Sequence, residues 1–354
     1  MKKFLIIDTV VFLLLLAGFF AGGDVDFWRR YFQAIANGPP DRIALNVSPR
    51  VVVVGQPAPM PEASAETEGI APEALVEARK RLDALGSRAL IVHRHGHRIL
   101  QAFSTGTSGA TQLTGGDLTP AVFALALSPL VDTRRVSIDA AIAALREESA
   151  WYGTPGWRNP WSTDARHRFR LRAAPPILLR DADGGAAQTV SQRVWQPLHA
   201  SDAALWGSGD QALRMDYLMT ARLDDWLRIG DVLLQQGNFE GERLASPDWI
   251  RALLASDAEG VRHPVWRREA LPWTGAEPPA TRDTLWFDLG AGVRLWLVPK
   301  RGLSVLHWAA SKDGARDTEL PNLFIRALTD QAPPVGGASD LERMVPGHGG
   351  AISR

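Results

Sequence analysis

The sequence predicts an α+β domain: one antiparallel sheet flanked by helices, with a mainly helical subdomain inserted between its strands. Three observations lead there. A helix and a β-hairpin come first, a long helical stretch follows, and three strands and a last helix close the pattern. The early hairpin and the late strands each carry an apolar face, and pairing in one sheet buries both. The 354 residues are 45% hydrophobic, enough to bury a large core.

Each element has a local reason. Ala71-Pro72-Glu73 opens a helix with proline near the first position, where its missing N–H costs nothing. The apolar stripe is Leu75, Ala78, Leu82 and Leu85, and Gly86 ends it. Leu90-Ile91-Val92 and Ile99-Leu100 flank the turn Arg94-His95-Gly96-His97, which is a hairpin pattern. Residues 120–130 form an apolar helix entered through Thr119-Pro120. Helical periodicity continues at 138–145, 189–195, 218–234 and 247–254. Residues 284–287, 293–298 and 304–308 read as a meander, and 320–328 as the closing helix.

The ends differ from this body. Lys2 and Lys3 precede an apolar run over residues 4–20, broken only by Asp8 and Thr9. With the flanking Ala21-Gly22-Gly23 it approaches the roughly 20 residues that cross a bilayer. A cleaved signal peptide and an uncleaved anchor both fit. The anchor reading gains from Phe27, Trp28, Arg29, Arg30 and Tyr31, which suit the headgroup region. Lysines on one side and Asp24 and Asp26 on the other orient the chain for export. The expected location is the inner membrane, single-pass, with the domain on the periplasmic side. Residues 38–68 are rich in Pro, Gly, Ser and Glu and read as an extended stalk, with a short strand at 51–54. The expected layout is 1–23 anchor, 24–68 juxtamembrane segment and stalk, 69–331 domain with its helical insert at 117–283, and 332–354 flexible tail.

Composition excludes several classes of function. The 39 basic and 39 acidic residues cancel, which gives no electrostatic reason to expect a nucleic-acid partner. With no cysteine there is no disulfide, thiolate metal site or cysteine nucleophile.

Several strings together resemble one family. They are the hairpin "ALIVHRHGHRIL", the segment "TQLTGGDLTPAVFALALSPLVDTRRVSIDAAI", the stretch "SQRVWQPLHASDAALW", the helix region "MTARLDDWLRIGDVLLQQGNFEGERLASPDWI" and the strand pair "DLGAGVRLWLVPKRGLSVLHW". The chain resembles the serine β-lactamase and penicillin-binding-protein family, in the class C branch near 6-aminohexanoate-dimer hydrolases and esterases. The resemblance implies a β-lactamase/transpeptidase-like fold over most of residues 69–331.

It also implies three catalytic motifs, and the chain departs from each. Family members carry Ser-x-x-Lys at the start of the central helix, the serine attacking an acyl carbon and the lysine helping to remove its proton. An ungapped match through "VDTRRVSID" puts Asp117 at the serine and Pro120 at the lysine. The second motif, Tyr-x-Asn or Ser-x-Asn, meets Leu171 and Ala173. The third, Lys-Thr-Gly or His-x-Gly, is reduced to Gly290-Ala291-Gly292. Proline has no titratable group. A carboxylate at the nucleophile position opposes the negative charge of an acyl-transfer transition state. Ser104 and Ser108 lie nearby without a lysine at the right spacing, and Lys312-Asp313-Gly314 comes after the strand. The expectation is therefore no catalytic residue. Asp117 is read instead as a cap of the helix that Pro120 helps to open.

Other residues invite weighing. His93, His95 and His97 alternate, but the turn between them breaks a shared face, and no carboxylate stands beside them in sequence. They read as an exposed polar turn, with no metal and no cofactor expected. Trp195, Trp206, Trp226 and Trp249 fall at apolar helical positions and read as core. Trp151, Tyr152, Trp157 and Trp161 cluster in "SAWYGTPGWRNPWST". That loop reads either as a binding surface for glycan, peptide or protein or as packing. Arg166, Arg168, Arg170 and Arg172 would make a basic edge if extended. Two functions remain: a non-catalytic binding or scaffold protein of the envelope, membrane-held by its N-terminal helix, or an esterase, amidase or peptidase using non-standard residues.

Overall fold

A computed structural model describes residues 50–142, 185–206, 218–255, 280–281, 284–290, 292–310 and 318–330. The elements run β1 (Arg50–Val53), α1 (Pro72–Ala84), β2 (Ala89–Arg94), β3 (His97–Phe103), β4 (Gln112–Thr114), a 3-10 turn (Gly116–Leu118) and α2 (Thr119–Asp132). Next come α3 (Gly185–Val190), continued by a π turn (Ser191–Trp195), β5 (Ala203–Trp206), β6 (Leu218–Arg222), α4 (Leu223–Leu234), β7 (Asn238–Phe239), β8 (Glu242–Arg243) and α5 (Pro247–Leu254). β9 (Leu285–Gly290), β10 (Val293–Val298), β11 (Leu303–Trp308) and α6 (Glu319–Arg326) close the domain.

The expected sheet forms. Its order is β3-β2-β11-β10-β9, so the early hairpin meets the late meander through β2 and β11. That pairing is antiparallel, from Ala89 opposite Trp308 to Arg94 opposite Leu303. The hairpin closes tightly because His95 and Gly96 both take positive φ, 51° and 86°, which matches the twist of the two strands. One face of the sheet carries Ile91, Leu306, Leu295 and Phe287 into a core shared with α2, α4 and α5. The other carries Leu90, Val92, Val305 and Trp296 against α1 and α6.

Helix α2 is buried around most of its circumference, which fits its nearly uniform apolar sequence. Three fully buried tryptophans brace it and its neighbours, and each indole N–H has a carbonyl. Trp195 donates to Ser201, Trp226 to Leu113 and Trp249 to Ala124, at 2.6, 3.1 and 2.8 Å. A buried indole usually finds a partner for its N–H, and these bonds satisfy the polar end of each ring within the core. Trp195 and Trp226 meet edge to face at 5.9 Å.

Four expectations need correction. A second sheet of order β1-β5-β6-β4 takes its two middle strands, β5 and β6, from the region read as a helical insert. Residues 218–222 of the supposed helix 218–234 are strand β6, whose backbone is satisfied by β5 on one side and β4 on the other. In α1 the buried positions are Ala74, Ala78 and Leu82, while Leu85 is the C-cap and stays exposed. Small alanines let this helix lie close on the sheet. Finally, residues 50–64 run without a helix, as expected of a stalk, and 65–69 form a turn, but the whole segment belongs to the domain. β1 pairs with β5, Gln56 and Ala58 donate to the carbonyls of Ala200 and His199, and Ala63 and Arg98 exchange bonds with Arg98 and Pro61. Prolines suit this strap because its satisfied N–H groups fall between them.

No helix among the described residues is long and apolar enough to cross a membrane. The apolar run 4–20, the tail from residue 331 and the segment carrying Trp151, Tyr152, Trp157, Trp161, the Arg166–172 alternation, Leu171 and Ala173 lie outside them.

Candidate functional site

The site to examine is the start of α2, where the resemblance places a nucleophile. β4 delivers the chain to it, and Gly115 N–H donates to Met219 O at 3.0 Å. The 3-10 turn then lies along β9, the outer strand of the five-stranded sheet. The Thr114 hydroxyl donates to the Leu289 carbonyl at 2.8 Å, in a buried position. Gly116 has φ +47°, and a Cβ there would overlap the Asp288 carbonyl oxygen. A Cβ on Gly115 would overlap the Trp226 ring. Two successive glycines therefore let the backbone of this turn press against β9 and the core at once. The chain itself covers this stretch of the β9 edge.

The motif positions fall around that contact. Asp117 is in the 3-10 turn, one residue ahead of the α2 N-cap. That N-cap is Leu118, with no side-chain hydrogen bond, so the helix does not begin on Asp117 as a cap. The preceding turn is what displaces it: Leu118 N–H already bonds Gly115 O at 2.8 Å. Pro120 is buried in the first turn of α2, at a position compatible with its missing N–H. Gly290 and Gly292 have φ of +87° and +82° and form the turn from β9 to β10. Gly290 N–H donates to Asp288 Oδ1 at 2.9 Å. The nearest cation in the strand pair, Arg294, stacks 4.2 Å above the Trp286 ring on the α1/α6 side of the sheet.

No acid–base pair stands at this start of α2 among the described side chains. Thr119 has the remaining hydroxyl there. It is 1% exposed, and its Oγ1 has no hydrogen-bond partner among the described residues. Ser104 and Ser108 lie in the β3–β4 loop, with their backbone N–H groups bonded to Arg88 O and Thr111 Oγ1.

The polar groups that sequence reasoning missed lie elsewhere. His93 is not part of an exposed turn. It is 1% exposed in β2, and its Nδ1–H donates to Asp231 Oδ2 of α4 at 2.7 Å. Ser304 donates to the other oxygen at 3.1 Å. This set holds a hydroxyl, a carboxylate and an imidazole, but the carboxylate is in the middle, so no imidazole can take the serine proton. On the opposite sheet face Ser87 Oγ lies 2.8 Å from His307 Nε2. Burial, helped by Arg294, lowers the His307 pKa to about 4, so the ring stays neutral in an enclosed structural pair. His95 and His97 do have a carboxylate: their Nδ1–H groups donate to the two oxygens of Glu68, at 2.8 and 2.7 Å. Glu68 is 27 and 29 residues away in sequence, too far for any local pattern to predict. Among the described residues no set of three or more His, Asp or Glu side chains could hold a metal ion.

Among the described residues, Asp225 is the carboxyl pushed furthest up. Burial pushes its pKa up to about 6, against the opposing pull of the Ser201 N–H and of Arg228 and Arg222. Arg228 lies beside it, with Nη1 on Leu198 O at 2.8 Å and Nη2 on Ala58 O at 2.5 Å. The pair holds the strap to the turn after the π segment.

This arrangement can be compared with known proteins. No family profile and no curated sequence matches the chain. Solved structures do. One described as a 6-aminohexanoate-dimer hydrolase from Bacillus anthracis superposes with a TM-score of 0.52 and 13% identity, over 78% of this chain and 90% of that one. EstCE1, described as a hydrolase with promiscuous acyltransferase activity, gives 0.50 and 12%, over 75% and 99%. The chain has the serine β-lactamase and penicillin-binding-protein fold. Identities this low establish the fold alone.

Proposed function

We propose that this chain is a membrane-tethered, non-catalytic β-lactamase-fold domain that serves as a binding or scaffold protein of the cell envelope. The observation that carries the reading is the start of α2. Asp117 and Pro120 stand where the sequence resemblance puts the serine and the lysine, and the chain's own Thr114 and Gly116 cover the adjoining edge of β9. Acyl transfer requires a hydroxyl with a base in reach and donors facing the developing oxyanion. A carboxylate on one side and a proline on the other supply neither. The tether rests on the sequence, with Lys2-Lys3, the apolar run 4–20 and the aromatic-Arg segment behind it. The partner is an envelope protein or a glycan or peptide, and the segment with Trp151, Tyr152, Trp157 and Trp161 is its best candidate surface.

Two experiments test this. The full chain in intact membranes is exposed to a fluorescent penicillin and to a fluorophosphonate. The reading predicts no covalent label, and a labelled band at the mass of the chain overturns it. Carbonate washing should leave the chain in the membrane, and protease added to spheroplasts should digest the domain. Full protection there would put the domain on the cytoplasmic side.

A second reading, hydrolysis by an esterase, amidase or peptidase with non-standard residues, has one observation behind it. The unpartnered, buried Thr119 hydroxyl sits in the first turn of α2. Labelling that disappears in Thr119→Val would favour it.

A further inference from the structure

The hairpin tip gathers two parts of the chain that lie at opposite ends of the domain. Arg94, at the end of β2, is fully buried. Its guanidinium donates to the carbonyls of Glu68 and Gly69 in the strap, and Nη2 lies 2.8 Å from both carboxylate oxygens of Asp330. Around it the backbones of the strap and of the C-terminal segment pair directly. Ala71 N–H donates to Ala327 O and Thr329 N–H to Gly69 O, both at 2.8 Å, on either side of the Ile70–Leu328 bridge. His95 and His97 grip the same strap through the Glu68 side chain.

One buried cation thus satisfies both segments, and neither is held well without the other. A buried guanidinium that loses its carboxylate is left as an uncompensated charge, which favours local opening. Both segments also lie at the surface end of the sheet, where local opening is least costly.

We propose that Arg94 is a latch that makes residues 61–71 and 327–330 a single opening unit, distinct from the sheet beneath it. The strap is the path from the chain ahead of residue 50, and Asp330 is where the chain continues toward residue 354. A partner that pulled on the segment after Asp330 would therefore loosen the strap paired with it. The latch does not depend on the binding or the tether reading and stands on the geometry of the domain alone.

Burial raises the Asp330 pKa, but the hydrogen bonds and charge of Arg94, with a smaller contribution from His95, outweigh it and leave a net lowering. The carboxylate thus keeps its charge to below the ordinary acid range, and the latch holds through neutral and mildly acidic pH.

The test is amide hydrogen exchange on the full chain in detergent, comparing wild type with Asp330→Ala. Asp330 is half exposed, so its replacement spares the fold. Glu319→Ala, which removes a surface partner of Arg81, is the matched control. The expected result is that the Ala63, Ala71 and Thr329 amides all exchange faster by a common factor of about tenfold or more, a gain of one opening unit. The Val92 and Val305 amides, in the sheet beneath, and all amides of the control should keep their rates. The proposal is overturned if Thr329 alone speeds up, if none of the three changes, or if the sheet amides accelerate with them.

Discussion

The start of α2 and the tip of the β2–β3 hairpin lie at different parts of the same five-stranded sheet, and they use polar groups in opposite ways. At the start of α2 the contacts are made by glycine backbone, a threonine hydroxyl on a carbonyl, and a proline. At the hairpin tip, Glu68, Arg94, His95, His97 and Asp330 form a dense ionic cluster whose hydrogen bonds tie chain segments together. In an acyl-transfer enzyme of this fold the titratable groups would converge on the helix start. Here they hold the strap, the hairpin and α4, where they act as structure. The difference teaches that histidine, aspartate and serine in hydrogen-bond contact are not evidence of catalysis until their order and exposure are known. His93, Asp231 and Ser304 touch in an order that cannot move a proton from the serine to the imidazole.

The largest effect should come from breaking a structural polar set. Asp231→Ala leaves His93 and Ser304 buried without their acceptor and should lower stability by about 3–5 kcal/mol, measured by urea unfolding. A loss below about 1 kcal/mol would mean that the set contributes little to the fold. The next effect sharpens the other side of the comparison. Gly116→Ala puts a methyl on the Asp288 carbonyl at a left-handed φ and should lower stability by about 2–3 kcal/mol. A neutral result would show that the turn does not press on β9.

Asp225 gives a pH signature. Its folded pKa of about 6 lies above the 3.8 of a free aspartate, so between those values the folded state binds more protons. The stability from this group is full below about pH 4 and is lost as pH rises through 6, a change on the order of 2–3 kcal/mol. Asp225→Asn should remove that slope, read as the difference in unfolding free energy between pH 4.5 and pH 7.5. An unchanged slope would assign it to other groups. The smallest effect is that of Asp117→Ala. Leu118 is the α2 N-cap, so removing a carboxylate beside the helix start should lower stability by about 0.5 kcal/mol, the size of a helix-dipole interaction.

Much of the architecture was legible in the sequence because period and punctuation spoke for it. Pro72 and Gly86 bracket α1, His95-Gly96 makes the hairpin turn, and the late meander needed a partner that the hairpin supplies. The second sheet was not legible. β5 and β6 are short, Met219, Thr220 and Ala221 are buried in succession, and β6 runs straight into α4, so its residues read as the first turns of a helix. The strap was mistaken for a free linker because proline content reports extension and says nothing of what the extended chain lies on. At the site, the departures at 117 and 120 and the glycines at 290 and 292 were readable from type alone. The contact of Gly116 with Asp288, across 172 residues, the Glu68 grip on two histidines and the burial of His93 arise only from tertiary packing.

The central proposal is that this β-lactamase-fold domain does not hydrolyse acyl substrates. It is tested most directly by steady-state assays of the purified chain with nitrocefin and with a short-chain nitrophenyl ester. Wild type, Asp117→Ala and the double variant Asp117→Ser, Pro120→Lys are compared, each first confirmed to be folded. The account predicts that none of the three turns over either substrate above buffer. The double variant is included in that expectation because Gly290-Ala291-Gly292 supplies no cationic side chain to assist a restored serine. Turnover by wild type well above buffer, abolished by Asp117→Ala in a protein that remains folded, would contradict the account and make Asp117 a catalytic residue.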